Sequence, residues 1–194
     1  MYEEGKDFSR FVEVDSALIG VRGLLMQRDP GTLMVDVDGT LKTLSLGLVD
    51  RMVYSELKVL DVRGWEIMVV TNQSTKGHVV ARSLGNLFDL PNYPDCFLKK
   101  GWPVFGGRWD FVWNHYKEGE KSVSEISNKV IESKNSGYLV MMGDEISDIS
   151  FFSRLVRKIK DYDCQRESMF LKIPFLGMPR MGGSVLRRFQ TVLP

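Results

Sequence analysis

An apolar run stops at two aspartates in residues 33–41, LMVDVDGTL. Leu33, Met34 and Val35 read as a short strand buried on both faces, the kind that parallel sheets place under helices. Side chains alternate along a strand, so Asp36 and Asp38 fall on the same side. Two adjacent carboxylates repel each other unless a cation or a proton sits between them. The tip of a buried strand is therefore a costly place for the pair on structural grounds alone. Gly39 lets the backbone turn and approach a ligand closely, and Thr40 adds a hydroxyl.

Few chemistries want this arrangement. A carboxylate can attack phosphorus and form an aspartyl-phosphate. Mg²⁺ takes oxygen ligands from one or two carboxylates and from a substrate phosphate. A second carboxylate can handle the leaving-group proton. An EF-hand loop is excluded, because it needs glycine at position six and Glu at position twelve. Counted from Asp36, the glycine falls at position four and position twelve is Gly47. The plain structural alternative is an Asp-Gly turn with a helix cap.

Two further runs repeat the pattern. Residues 65–70, WEIMVV, end in Thr71-Asn72-Gln73-Ser74. A hydroxyl and free backbone N–H groups at a strand end can hold a phosphoryl oxygen. Residues 137–142, GYLVMM, end in Gly143-Asp144-Glu145-Ile146-Ser147-Asp148, which brings two more aspartates to a strand tip. In open α/β sheets, ligands bind outside the carboxyl ends of the strands. The three ends are thus expected to converge on one spot.

DVDGT, TNQS and GDEISD resemble motifs I, II and IV of the haloacid-dehalogenase superfamily of phosphohydrolases. MVVTNQS is similar to the histidinol-phosphate phosphatase and polynucleotide 3′-phosphatase branch. The resemblance spans about residues 32–152. It implies a Rossmann-like three-layer α/β sandwich with a mainly parallel sheet. It also implies roles. Asp36 matches the nucleophile and Mg²⁺ ligand. Asp38 matches the acid/base that protonates the leaving oxygen and then activates water, and it also stands among the candidate metal carboxylates. Thr71 matches the phosphate-binding hydroxyl. Asp144 matches the second metal carboxylate, and Asp148 the supporting acid at the metal or the lysine. Gly39, Thr40 and Asn72 are candidate substrate contacts, and Glu145 is a flanking residue.

The family's third motif is a lysine that usually opens the helix before the last motif strand. Here that helix reads as residues 122–136, with Val123, Ile126, Val130 and Ile131 at helical spacing. Lys121 stands at its start and is the first choice, although Ser122 replaces the family's usual proline. Lys117 is the second choice. Lys99 and Lys100, after a short strand expected at residues 96–98, remain open. Any lysine is also readable as a solvated surface charge.

The 194 residues suit one α/β domain: an N-terminal extension with a helix over 1–31, a motif-bearing core over 32–152 and a basic part over 153–194 that completes the sheet. The hydrophobic share of 43% and charged share of 26% are ordinary for a soluble enzyme. No apolar stretch is long enough to span a membrane, and the acidic start MYEEGKDFSR lacks a signal-peptide core, so a cytosolic protein is expected. Cys96 and Cys164 form no metal-binding pattern and no expected disulfide. With Cys96, His78 and His115 alone between the second and third motifs, the zinc loop of some relatives cannot form.

Residues 101–116, GWPVFGGRWDFVWNHY, hold three of the four tryptophans. They either cover a sheet edge or offer a stacking platform for bases or sugars. His115 reads as structural. Motif spacing leaves no room for a large cap domain. In the resembled family, an open site often goes with bulky substrates such as nucleic acid ends, proteins or lipid phosphates. Residues 154–194 carry nine Lys/Arg against three Asp/Glu. That net +6 is either a solvated helix face or a stripe that steers polyanions. Residues 15–27 read as a capped amphipathic helix. Residues 169–176 read as a late strand whose Pro174 suggests an edge.

The expectation is a Mg²⁺-dependent phosphomonoester hydrolase. Two alternatives stand beside it. One is a nucleic acid end-processing 3′-phosphatase, and the other is a non-enzymatic binding or scaffold protein of the same fold.

Overall fold

A computed structural model describes residues 8–27, 29–37, 39–41, 48–71, 79–106, 115–133, 137–144, 146–160, 162 and 166–174, without the side chains of 79–82, 84 and 115–122. The elements run β1 (Arg10–Glu13), α1 (Ala17–Leu25), β2 (Thr32–Val35), α2 (Arg51–Val62), β3 (Glu66–Thr71) and α3 (Val79–Phe88). They continue with α4 (Asp95–Leu98), β4 (Val104–Gly106), α5 (His115–Glu132), β5 (Leu139–Gly143), α6 (Ile146–Lys160) and β6 (Ser168–Lys172). The strands form one six-stranded sheet in the order β1-β6-β5-β2-β3-β4. Every neighbouring pair is parallel.

Continuous apolar sequence explains the central strands. All four residues of β2 and all five of β5 are buried. Alternation sends Leu33, Val35, Ile67, Val69, Val140 and Met142 into one core with Val21 and Leu24 of α1 and Val53, Leu57 and Leu60 of α2. Met34, Met68, Met141 and Phe170 enter a second core with Ile126 and Val130 of α5 and Phe152, Leu155 and Ile159 of α6. The result is an α/β/α sandwich of the Rossmann-like class.

From β2 the chain steps outward to β3 and β4, then returns to the other side of β2 for β5 and β6. Crossovers of one hand must change face when the direction of winding reverses. The two helix pairs obey this, with α1 and α2 on one face and α5 and α6 on the other. Each pair is tied by a polar bridge. Arg22 Nε donates to Glu56 Oε1 at 2.9 Å, and Lys158 Nζ donates to Ser124 Oγ at 2.8 Å. At the start of α1, Ser16 Oγ accepts from the Ile19 N–H and caps the helix.

Several local expectations need correcting. Residues 96–98 belong to the one-turn helix α4. Cys96 and Phe97 are buried and Leu98 is exposed, so the apolar triplet does not pack as a strand. Helix α5 opens at His115, which leaves Lys121 well inside it and Lys117 in its first turn. The apolar stripe from Val123 onward marks only the later part of α5, and the polar sequence before it carries no such signal. Strand β6 is interior, because β1 pairs along its outer side, and Pro174 lies beyond the strand end. A four-residue β1 of sequence RFVE is too short for a periodic signal.

The basic segment divides: Arg154, Arg157 and Lys160 are exposed on α6, which agrees with the solvated-face reading, and other members are placed elsewhere. In α6 the first turn holds Asp148, while Arg157, Lys158 and Lys160 fall in the last turn. The helix carries these charges away from the strand ends. Arg166 is buried rather than part of a surface stripe. Arg180, Arg187 and Arg188 lie outside the described residues.

Trp102 is core: its ring stacks on Phe97 at 6.0 Å between centroids and meets Tyr54 edge-on. Residues 107–114, with the other two tryptophans of that stretch, lie outside the described residues. Under the same cluster, burial pushes the Cys96 thiol up from 9.0 to about 12. The Tyr54 phenol, which donates to the Cys96 carbonyl at 2.9 Å, is raised above 10.0 by burial and then by Cys96.

The sign follows from linkage. Below pH 9 both folded and unfolded chains keep the thiol protonated, and its contribution to stability is fully present. Between pH 9 and about 12 only the unfolded chain ionises, so stability falls. The slope is at most about 1.4 kcal/mol per pH unit. Melting temperatures taken from pH 8 to 11 should therefore fall more steeply in the wild type than in Cys96→Ala. Parallel curves would contradict this.

Candidate functional site

The reversal of winding lies between β2 and β5, the place where open α/β sheets form a crevice at their carboxyl edge. Asp36 follows the last residue of β2, and its N–H donates to the Met142 carbonyl of β5 at 2.9 Å. Asp144 follows the last residue of β5, and Asp148 stands in the first turn of α6. One carboxylate oxygen from each of Asp36, Asp144 and Asp148 lies within 4.8 Å of the other two. All three residues are buried, at 6%, 5% and 7% exposure. The strand ends at 36 and 144 thus meet as expected, and the first turn of α6 folds a third acid back onto them.

Local backbone holds the cluster in shape. The Asp144 N–H donates to Asp148 Oδ2 at 3.1 Å, closing the strand-to-helix turn. Two glycines make room for the acids. A Cβ on Gly143 would lie 2.6 Å from Asp148 Oδ2, so the Asp148 side chain packs directly over that glycine. A Cβ on Gly39 would overlap the Asp144 carboxylate. Gly39 also has φ +72°, a left-handed conformation that side chains rarely adopt. The glycine of DVDGT is therefore required twice, by the turn and by the neighbouring acid.

Thr71 ends β3 at the same edge of the sheet and is buried. Thr40 is buried as well, and its hydroxyl has no hydrogen-bond partner among the described residues. Asp38, Asn72 and Glu145 lie outside the described residues, as do the side chains of Lys121, Lys117 and His115. Lys99 and Lys100 are exposed and precede the amino end of β4, whereas the acids lie past the carboxyl ends of β2 and β5.

Three buried carboxylates at this separation repel one another strongly when all are ionised. A cation among them would offset that cost. Its donors would be carboxylate oxygens, which suit a hard ion such as Mg²⁺ better than a soft metal. The three carboxylates are therefore a candidate site for a hard cation.

Lys172 at the end of β6 also reaches this edge of the sheet. No local pattern marks it, because only the strand order brings β6 next to β5. Neither a protein-family model nor a curated protein matches the chain.

Proposed function

We propose that the chain is a Mg²⁺-dependent phosphomonoester hydrolase of the haloacid-dehalogenase type, acting through an aspartyl-phosphate. The observation that carries this reading is the convergence of Asp36, Asp144 and Asp148, all buried, at the reversal point of the sheet. A strand order with β2 central, β3 and β4 on one side and β5 and β6 on the other suits the motif order read from the sequence.

Asp36, Asp144 and Asp148 would hold Mg²⁺, with Asp38 also available on sequence grounds. Bound there, the ion would neutralise negative charge on the phosphoryl oxygens. The chain's own residues carry the steps. An Asp36 carboxylate oxygen attacks phosphorus as the ester P–O bond breaks, and Asp38 gives its proton to the leaving oxygen. Water then attacks the same phosphorus, the bond from Asp36 to phosphorus breaks, and Asp38 takes a proton from the water. Thr71 donates a hydrogen bond to the phosphoryl group. Lys121 supplies a positive charge to it. Fixed donors aimed at developing charge supply most of the acceleration in phosphoryl transfer.

The test is phosphate release from a panel: an aryl phosphate, sugar and amino-alcohol phosphates, and 3′- and 5′-phosphorylated oligonucleotides, each with and without Mg²⁺. Release from at least one member that stops when the metal is chelated is the expected result. Preference for the oligonucleotide 3′-phosphate would select the end-processing alternative. Silence from a folded protein across the whole panel would count against the reading.

A further inference from the structure

Lys172 is the last residue of β6, and its Cα is in register with that of Gly143 on β5. Neighbouring strands lie about 4.8 Å apart, and residues in register project to the same side. Leu171 packs into the core under α1 and α2, and Phe170 into the core under α5 and α6. Alternation returns Lys172 to the α5–α6 side. The space over Gly143 on that side is the space the Asp148 carboxylate fills. The Lys172 stem thus starts beside Asp148, at the carboxyl edge where the three acids meet.

The same register sets Glu13 of β1 on the other flank of Lys172. Lys172 is half-buried, and it makes no ion pair among the described residues. Its flexible four-carbon stem lets the ammonium swing toward either neighbour. Three clustered carboxylates create a negative potential that draws a mobile cation, and partial burial weakens screening by water.

We propose that Lys172 sets the charge balance of the carboxylate site and so tunes its affinity for cations and anions in opposite directions. The inference rests on the metal-binding reading above. A positive charge beside the cluster repels a divalent cation and attracts the oxyanion that follows it. Removing that charge strengthens the first and weakens the second. A merely structural role would weaken both, and an idle surface lysine would change neither.

The test is calorimetric titration of the whole chain with MgCl₂, and with inorganic phosphate at saturating Mg²⁺, for wild type, Lys172→Met and Lys172→Arg. Lys172→Met is expected to bind Mg²⁺ about five-fold more tightly and phosphate about five-fold more weakly at low salt. The differences should shrink in high salt. Lys172→Arg should match the wild type, which separates loss of charge from loss of packing. Equal Mg²⁺ affinity in wild type and Lys172→Met would overturn this inference alone. Absence of Mg²⁺ binding by the wild type would overturn both this inference and the reading beneath it.

Discussion

Asp36→Asn should lower Mg²⁺-dependent phosphate release by about 10⁴-fold or more while leaving the protein folded. The amide is nearly isosteric with the carboxylate but is not a nucleophile, and losses of this size are usual when a covalent nucleophile is removed. The substitution keeps the backbone contact at this position, in which the Asp36 N–H donates to the Met142 carbonyl. Removing one negative charge from the buried cluster also relieves repulsion, so metal-free Asp36→Asn should melt at or above the wild-type temperature. Added Mg²⁺ should stabilise it less than it stabilises the wild type, since ligand stabilisation scales with affinity. Undiminished turnover in Asp36→Asn would refute the assignment of the nucleophile.

The largest expected loss of stability lies at the opposite edge of the sheet. Arg166 is buried at 9% exposure in the loop before β6. Its Nη2 donates to Thr32 Oγ1 at the start of β2 at 2.7 Å, and its Nη1 donates to the Val130 carbonyl of α5 at 3.3 Å. Thr32 Oγ1 in turn donates to Glu66 Oε2 of β3 at 3.5 Å. One guanidinium thus joins the central strand to a covering helix, with a relay to a third element.

Arg166→Met keeps much of the stem but removes the charged donors to the Val130 carbonyl and to Thr32 Oγ1. Hydrogen bonds to charged groups are worth roughly 1.5–3 kcal/mol each, so a loss of about 3 kcal/mol is expected. In a chain of this length that lowers the melting temperature by roughly 6–12 °C. Any phosphatase activity should survive at permissive temperature, because the carboxylates lie at the other end of the strands. A melting temperature unchanged from the wild type would show that methionine packing replaces the network, as sometimes happens at buried charges.

These two sites differ in how much of them was legible before the fold was known. Asp36, Asp144 and Asp148 announce themselves, because each closes or follows an apolar run where a buried strand must end. The physical rule that α/β sheets gather function at their carboxyl edge was enough to bring them together. Gly39 is readable as a turn residue, but its clearance for Asp144 depends on how β2 and β5 come together in the fold. Arg166 and Lys172 looked like two charges in one basic segment. Burial separates the first from that segment, and register with Gly143 separates the second. Such properties depend on which strands become neighbours, and the local sequence of β1 and β6 does not encode that order.

The same reasoning explains the misplaced elements. Apolar periodicity reports contact with a core, so it recovered the half of α5 from Val123 onward and missed the polar start at His115. The short apolar run at residues 96–98 has no period to distinguish a strand from a single helical turn. Its burial of Cys96 and Phe97 against Tyr54 and Trp102 is a tertiary outcome. The interior position of β6 follows from β1, four residues whose pairing depends on the rest of the sheet.

The proposed mechanism requires that Asp36 be phosphorylated during turnover. The most direct measurement is an acid-quenched single turnover with the best substrate of the panel, followed by mass spectrometry of the peptide containing residues 33–41. The expected result is a transient gain of one phosphoryl group on Asp36, dependent on Mg²⁺ and absent in Asp36→Asn. Phosphate release with no such adduct, or with the phosphoryl group on another residue, would contradict it.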